Sequence, residues 1–343
     1  MYKSTLGVAI LLLAVVGFTG ILLTSCEDEM EPPQYPVYFH GDEGSVVFEI
    51  DAIRGTKISE PSPPIKTGYE FAGWYRDTNF TSKWDFNRDR VSSELRLYAR
   101  WIEIRSVSIK YVEGGEFQMG TYYSRDGGGR LHTVRLSDFC IGQYEVSQDI
   151  YEEITGNNPS YHKGARLPVE NVSWFDAVLF CNAISQRDGY EQVYSINGME
   201  VTCDWDKIGY RLPTEAEWEF AALGGVRNIP SKYAGSNNAN DVAWYSDNSA
   251  GISHEVGLKM SNELNLFDMS GNLWEYVWDR YDLDYYRDSP ILNPKGSDTG
   301  VGRVIRGGCY LNADWVTTCR IIHSTNPTSK ENYIGFRVVL PIK

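Results

Sequence analysis

Residues 303–339 read RVIRGGCYLNADWVTTCRIIHSTNPTSKENYIGFRVV, and they constrain the fold because the ends of the stretch follow a pattern while its middle follows none. Arg303, Val304, Ile305 and Arg306 alternate like a strand and stop at Gly307-Gly308, where a close turn is the cheap backbone option. Gly335, Phe336, Arg337, Val338 and Val339 form a second short strand pattern. Between them the apolar residues repeat with neither a period of two nor one of 3.6, so the segment has no single face to bury. It is expected to be a surface loop system held between rigid strands, the kind of element that carries function.

The rest of the chain sets the frame. Hydrophobic residues make up 42 % and charged residues 23 %, enough for one substantial core and a smaller module. A formal net charge of -14 argues against nucleic acid or an anionic lipid surface as the ligand, since both are bound through surplus Lys and Arg.

At the N-terminus, Lys3 precedes an apolar run over 6–23 that ends in Leu23-Thr24-Ser25-Cys26, a secretory signal over 1–25 resembling a bacterial lipobox. Cleavage before Cys26 leaves a thiol for diacylglycerol, so the membrane is reached by a lipid anchor only. Residues 26–36 form an acidic, Pro-containing linker. Its Glu27, Asp28, Glu29 and Glu31 are similar to the surface-export signal of Bacteroidetes lipoproteins, which implies an outer-membrane, surface-exposed location.

Residues 37–102 carry a signature of their own in Gly68 with Tyr69, Phe71, Gly73, Trp74 and Tyr75, then Trp84-Asp85-Phe86, then Leu97-Tyr98-Ala99-Arg100-Trp101. This resembles the Listeria-Bacteroides (internalin B-type) repeat in a single copy. Val46, Phe48 and Ile50, like Leu95, Leu97 and Ala99, alternate as half-buried strands do. The large aromatics Trp74, Tyr75, Trp84, Phe86 and Trp101 are expected to do most of the burying in so small a core. No catalytic constellation occurs there, and the repeat's relatives imply a spacer or adhesion module.

Residues 106–343 make the main domain. Three helices are expected, one from about 147 to 154 with Ser147 as N-cap, one after Ser173, and one from Thr214, with Glu217 completing a capping box. Four ordered stretches resemble the formylglycine-generating enzyme (sulfatase-modifying factor) family. They are Gly114-Gly115-Glu116-Phe117-Gln118-Met119-Gly120, the run from Arg211 to Glu219, Met269-Ser270-Gly271-Asn272-Leu273-Trp274-Glu275, and the 303–339 stretch itself. The resemblance implies an α+β, C-type-lectin-like fold with few helices and many short strands and loops, following a small β-rich repeat module.

It also implies a chemistry whose residues are missing. The family's oxidase binds copper through two cysteines, and those positions fall on Asn312 and Thr317, which supply no thiolate. No copper is therefore expected. The family's structural calcium implies Asp268, Gly271, Leu273 and Glu275 as oxygen ligands. The alternative there is that Asp268 caps a turn and Glu275 pairs with an arginine such as Arg306 or Arg337. Cys309 and Cys319 either close a small loop as a disulfide or stay free and buried. The five histidines, His40, His132, His162, His254 and His323, have no metal-ligand spacing.

The expected function is binding of a protein or glycan ligand by a surface lipoprotein, with Tyr310, Asn312, Asp314, Trp315, His323 and Tyr333 lining one exposed face. The alternatives are a formylglycine-generating oxidase or related metal-dependent enzyme, and a structural component of an envelope assembly. The stretch further resembles family members whose C-termini are diversified by retroelements from asparagine codons. Single or double changes of such codons yield the residues found at Tyr310, Leu311, Asp314, Val316, Thr318, Ile322, His323, Ser324, Thr325 and Tyr333, with Asn312, Asn326 and Asn332 left as asparagine. Ordinary loop drift is the alternative.

Overall fold

A computed structural model describes residues 32–42, 45–121, 131–282 and 284–342. Cys26, the signal segment and the acidic run lie outside the described residues.

In the repeat module, β1 (Gln34–His40), β2 (Val46–Ile53), β3 (Tyr69–Tyr75) and β4 (Leu95–Glu103) form one sheet in the order β2-β1-β4-β3. The β1 and β4 pair is parallel and the others are antiparallel. Trp74, Tyr75 and Trp84 are buried as the sequence predicts, with Phe86 and Trp101 packed against the same core. Strand β2 departs from the expected half-burial, because it is an edge with one neighbour and leaves Val46 and Phe48 exposed. Polar contacts fix the module to the domain that follows. Lys110 pairs with Glu70 at 3.0 Å, and Lys83 reaches Glu113 at 2.7 Å and the Tyr111 hydroxyl at 2.8 Å.

The main domain begins and ends in one sheet, β5-β8-β15, built from β5 (Ile109–Val112), β8 (Phe139–Gly142) and β15 (Val339–Pro341). Two hairpins stand apart, β6 (Glu116–Met119) with β7 (His132–Arg135), and β9 (Tyr194–Asn197) with β10 (Glu200–Cys203). Helices α1 (Gln148–Thr155), α2 (Trp174–Arg187) and α3 (Glu215–Ala222) start where the sequence places them. Both Ser173 and Thr214 close full capping boxes, which satisfy amides the first helical turn leaves unpaired. Ser147 stands at the N-cap of α1 but makes no capping bond, because its hydroxyl donates to Asp149 instead. Two single-turn helices, α4 (Ala239–Val242) and α5 (Tyr285–Asp288), interrupt the long loops.

A central sheet in the order β13-β12-β11-β14 joins β11 (Trp274–Arg280), β12 (Arg303–Arg306), β13 (Ile322–Thr325) and β14 (Ile334–Phe336). It lies between two apolar cores. Ile305, Trp274 and Tyr276 pack with Trp174, Phe180 and Phe336 on one side. Val304 and Val277 pack with Trp218 and Phe220 on the other. Both faces of β12 are therefore covered, and all four of its residues are buried, Arg303 and Arg306 included.

Candidate functional site

The motif residues meet at the two ends of the 303–339 stretch, and their charges satisfy one another. The Arg306 guanidinium is fully buried and donates to Glu219 at 2.6 Å, Glu215 at 3.2 Å and the Cys319 carbonyl at 2.7 Å. Arg337, equally buried, grips Glu275 with two bonds of 2.7 and 2.6 Å and also reaches the carbonyls of Gly142 and Phe267. Trp218 Nε1 donates to the same Glu275 carboxylate at 2.8 Å. Arg211 pairs with Glu217 through two bonds of 2.6 Å. Arg320, in the middle of the stretch, ties it down by donating to Glu219 and to the carbonyls of Gln118 and Gly120. Buried charges persist only when paired and hydrogen-bonded, and all of these pairs except the local Arg211–Glu217 join segments far apart in sequence.

Between the anchors the backbone turns sharply. Gly307 and Gly308 both have positive φ, and a Cβ on Gly308 would come within 3.0 Å of Thr317. From there the chain runs through a short 3-10 turn over Asp314–Thr317, the edge strand β13, and a loop that returns to β14.

The six predicted ligand-binding residues do not all line an exposed face. Tyr310 is withdrawn from the surface, since it is 1 % exposed and its hydroxyl donates to the Asn332 carbonyl at 3.2 Å. Its carbonyl in turn accepts from Ser249. Asn312 is half-buried and uses its side-chain oxygen to accept from Cys309 N at 2.9 Å, stabilising the turn. Asp314 meets the Tyr233 hydroxyl at 2.6 Å and Lys232 at 3.1 Å, which hold its carboxyl below the usual range. Trp315 follows it, 54 % exposed. His323 projects from β13 with its ring 5.7 Å from that of Trp274. Tyr333, half-buried, accepts through its carbonyl from Trp274 N. Asp314 is thus grouped with Lys232 and Tyr233, and His323 and Tyr333 with Trp274. Lys232 and Tyr233 went unrecognised in the sequence. Their only signal is a Lys-Tyr pair within the Ser-, Gly- and Asn-rich run at 231–240.

The two cysteines of the stretch are free, so the disulfide alternative is corrected. Cys309 packs in the core beside α2 and Cys319 in the core beside α3. Burial raises the Cys309 thiol to about 11 and the Cys319 thiol to about 12, which keeps both protonated at neutral pH. At the positions where the family resemblance places copper ligands, Asn312 is engaged in its turn and the buried Thr317 hydroxyl donates to Asp314 O at 2.8 Å.

The calcium set does not fit as the resemblance implies. Gly271 and Leu273 offer carbonyls, and Asp268 Oδ1 is buried with no hydrogen-bond partner. Both oxygens of Glu275, however, are taken by Arg337 and Trp218. No group of three acidic, His or Cys side chains among the described residues is placed to hold a metal. The positive charge that Glu275 meets here is the Arg337 guanidinium. Around it, burial and mutual repulsion with Glu275 raise Asp268 to about 6. Burial, then Asp268 and Glu275, push Glu145 well above the carboxylate range, although it accepts from Asn272 at 2.7 Å and Leu273 N at 2.9 Å.

Interlocked framework charges, termini in one sheet and a long loop system between β12 and β14 define a C-type-lectin-like domain. The chain belongs to the family of the sulfatase-modifying factor enzyme 1-like domain, which matches residues 105–342, and a Listeria-Bacteroides repeat domain matches residues 35–100. It is 30 % identical to the formylglycine-generating enzyme of Streptomyces coelicolor over 66 % of this chain and 87 % of that enzyme. It is 37 % identical to the chaperone protein LppX of Paenibacillus barcinonensis over 49 % of this chain and 70 % of that protein. Among solved structures, Treponema denticola variable protein 1 superposes with a TM-score of 0.65 at 31 % identity, covering 69 % of this chain and 95 % of that one.

Proposed function

We propose that this protein is a surface lipoprotein whose sulfatase-modifying-factor-like domain binds a protein or glycan ligand through the loops between β12 and β14. One contrast carries the reading: Arg306, Arg320 and Arg337 anchor the loop system into a paired, buried framework, while Leu311, Trp315 and His323 point to solvent. A rigid frame presenting adaptable aromatic and polar side chains is the arrangement of an antibody paratope. Likeness to a protein named for its variability supports loop diversification, with Tyr310 as a framework residue rather than a presented one. The Leu23-Thr24-Ser25-Cys26 resemblance to a lipobox supports lipid attachment at Cys26.

The oxidase is the competing reading, favoured by similarity to the Streptomyces enzyme. Against it stand Asn312 and Thr317 where the copper thiolates belong. The deciding experiment takes the purified chain through two assays. Copper-loaded protein is expected to leave a Cys-x-Pro-x-Arg peptide unmodified, and formylglycine in the product overturns the binding reading. Screening against surface-protein and glycan arrays is expected to give a ligand whose capture is lost in a Trp315→Ala, His323→Ala variant. A Cys26→Ala protein is expected to lose palmitate labelling.

A further inference from the structure

The repeat module has two sheet edges in unlike surroundings. Strand β3 lies against β5 of the main domain, and Lys83 bridges to its Tyr75 end. Strand β2 has β1 on one side and no strand beyond it among the described residues. Phe48, Ile50 and Ala52 face the module core, where Ala52 is buried and the Phe48 ring lies 5.6 Å from that of Phe39, and a bulge at Val47 pairs Val46 with His40 on the other face. Yet Val46, Val47 and Phe48 are 49, 51 and 46 % exposed. The core is open at this edge, alongside a row of backbone donors and acceptors that β1 does not use.

The opposite face of β2 adds a second constraint. It presents Val47, Glu49, Asp51 and Ile53, and the two carboxylates are exposed. Cross-strand neighbours of opposite charge stabilise a ladder and like charges weaken it. A second copy is a poor occupant on that ground. An antiparallel β2 pair that keeps the two cores on one side and overlaps most of the strand sets Glu49 against Glu49 or against Asp51. The net charge of -14 opposes self-association further.

We propose that β2 is a strand-docking edge that accepts an extended segment of a partner protein in which apolar residues alternate with Lys or Arg. The apolar side chains continue the core over Phe48 and Ile50. The basic ones meet Glu49 and Asp51, and the main-chain ladder supplies affinity as in other strand-addition complexes.

The test uses the full chain and two eight-residue probes, one alternating Val with Lys and one alternating Val with Glu. The Lys probe is expected to bind at least about ten-fold tighter than the Glu probe, with slowed amide exchange confined to residues 46–53. In an E49K/D51K variant, whose exposed substitutions leave the core intact, that preference is expected to invert. Several results overturn the proposal: equal binding of both probes, no binding, protection outside β2, or an unchanged preference in the variant. Sedimentation showing a dimer of the chain that dissociates in E49K/D51K also overturns it, by making a second copy the occupant.

Discussion

Arg306 and Trp315 lie nine residues apart in the chain and in opposite surroundings. The arginine is wholly buried, its position set by Glu215, Glu219 and a main-chain carbonyl, whereas the tryptophan stands more than half exposed. The difference is one of partners. Arg306 and Arg337 in the ends of 303–339 each have a counter-charge from another motif, so those positions cannot shift without leaving a buried charge unpaired, whereas Arg303 donates to the Trp278 carbonyl and stacks on Trp174. The middle is tied down through Arg320, the Asn312 turn and the buried Cys309, Tyr310, Thr317 and Cys319, while its exposed side chains, Leu311, Trp315 and His323, can vary without disturbing either core. A scaffold built this way separates what must stay from what can change.

The largest expected effect comes from breaking an end. Arg337→Ala leaves Glu275 buried with only Trp218 as donor, and urea unfolding is expected to show a loss of about 3–5 kcal/mol. A smaller loss separates turn from anchor. Gly308→Ala forces a side chain into a left-handed backbone and against Thr317, and about 1–3 kcal/mol is expected from the same measurement.

The carboxylates near Arg337 give an effect of opposite sign. Because Asp268 is raised from 3.8 to about 6, the folded state holds its proton more tightly than the unfolded state. That contribution is complete below the unfolded value near 3.8 and is lost as pH rises through about 6. Asp268→Asn is therefore expected to stabilise the protein on the order of 1 kcal/mol at pH 7 and to do nothing near pH 3.5. A calcium ligand behaves the other way, so destabilisation by this substitution, or a melting temperature lowered by a chelator, would restore the metal. The smallest effect belongs to the middle. Trp315→Ala and His323→Ala are expected to change stability by no more than about 0.5 kcal/mol while removing ligand capture, and a large loss of stability would erase the contrast between the regions.

Local chemistry is legible in the chain itself. Ser173 and Thr214 announce helix starts because a cap is satisfied within three residues. Trp74, Tyr75 and Trp84 mark the module core because few other side chains could fill it. The paired glycines end β12 because the backbone there must take positive φ. These outcomes depend on neighbours in sequence or on side-chain volume, so one chain read alone determines them. Partner choice depends on distance in space, and only the tertiary structure decided it. Glu275 is bound by Arg337, 62 residues away, rather than left open to a cation. Asp314 meets Tyr233 across 81 residues, and Tyr310 faces inward because Asn332 and Ser249 receive it there. Whether a carboxylate holds a metal or an arginine is settled by which group the folded chain brings within about 3 Å, and no local pattern encodes that approach.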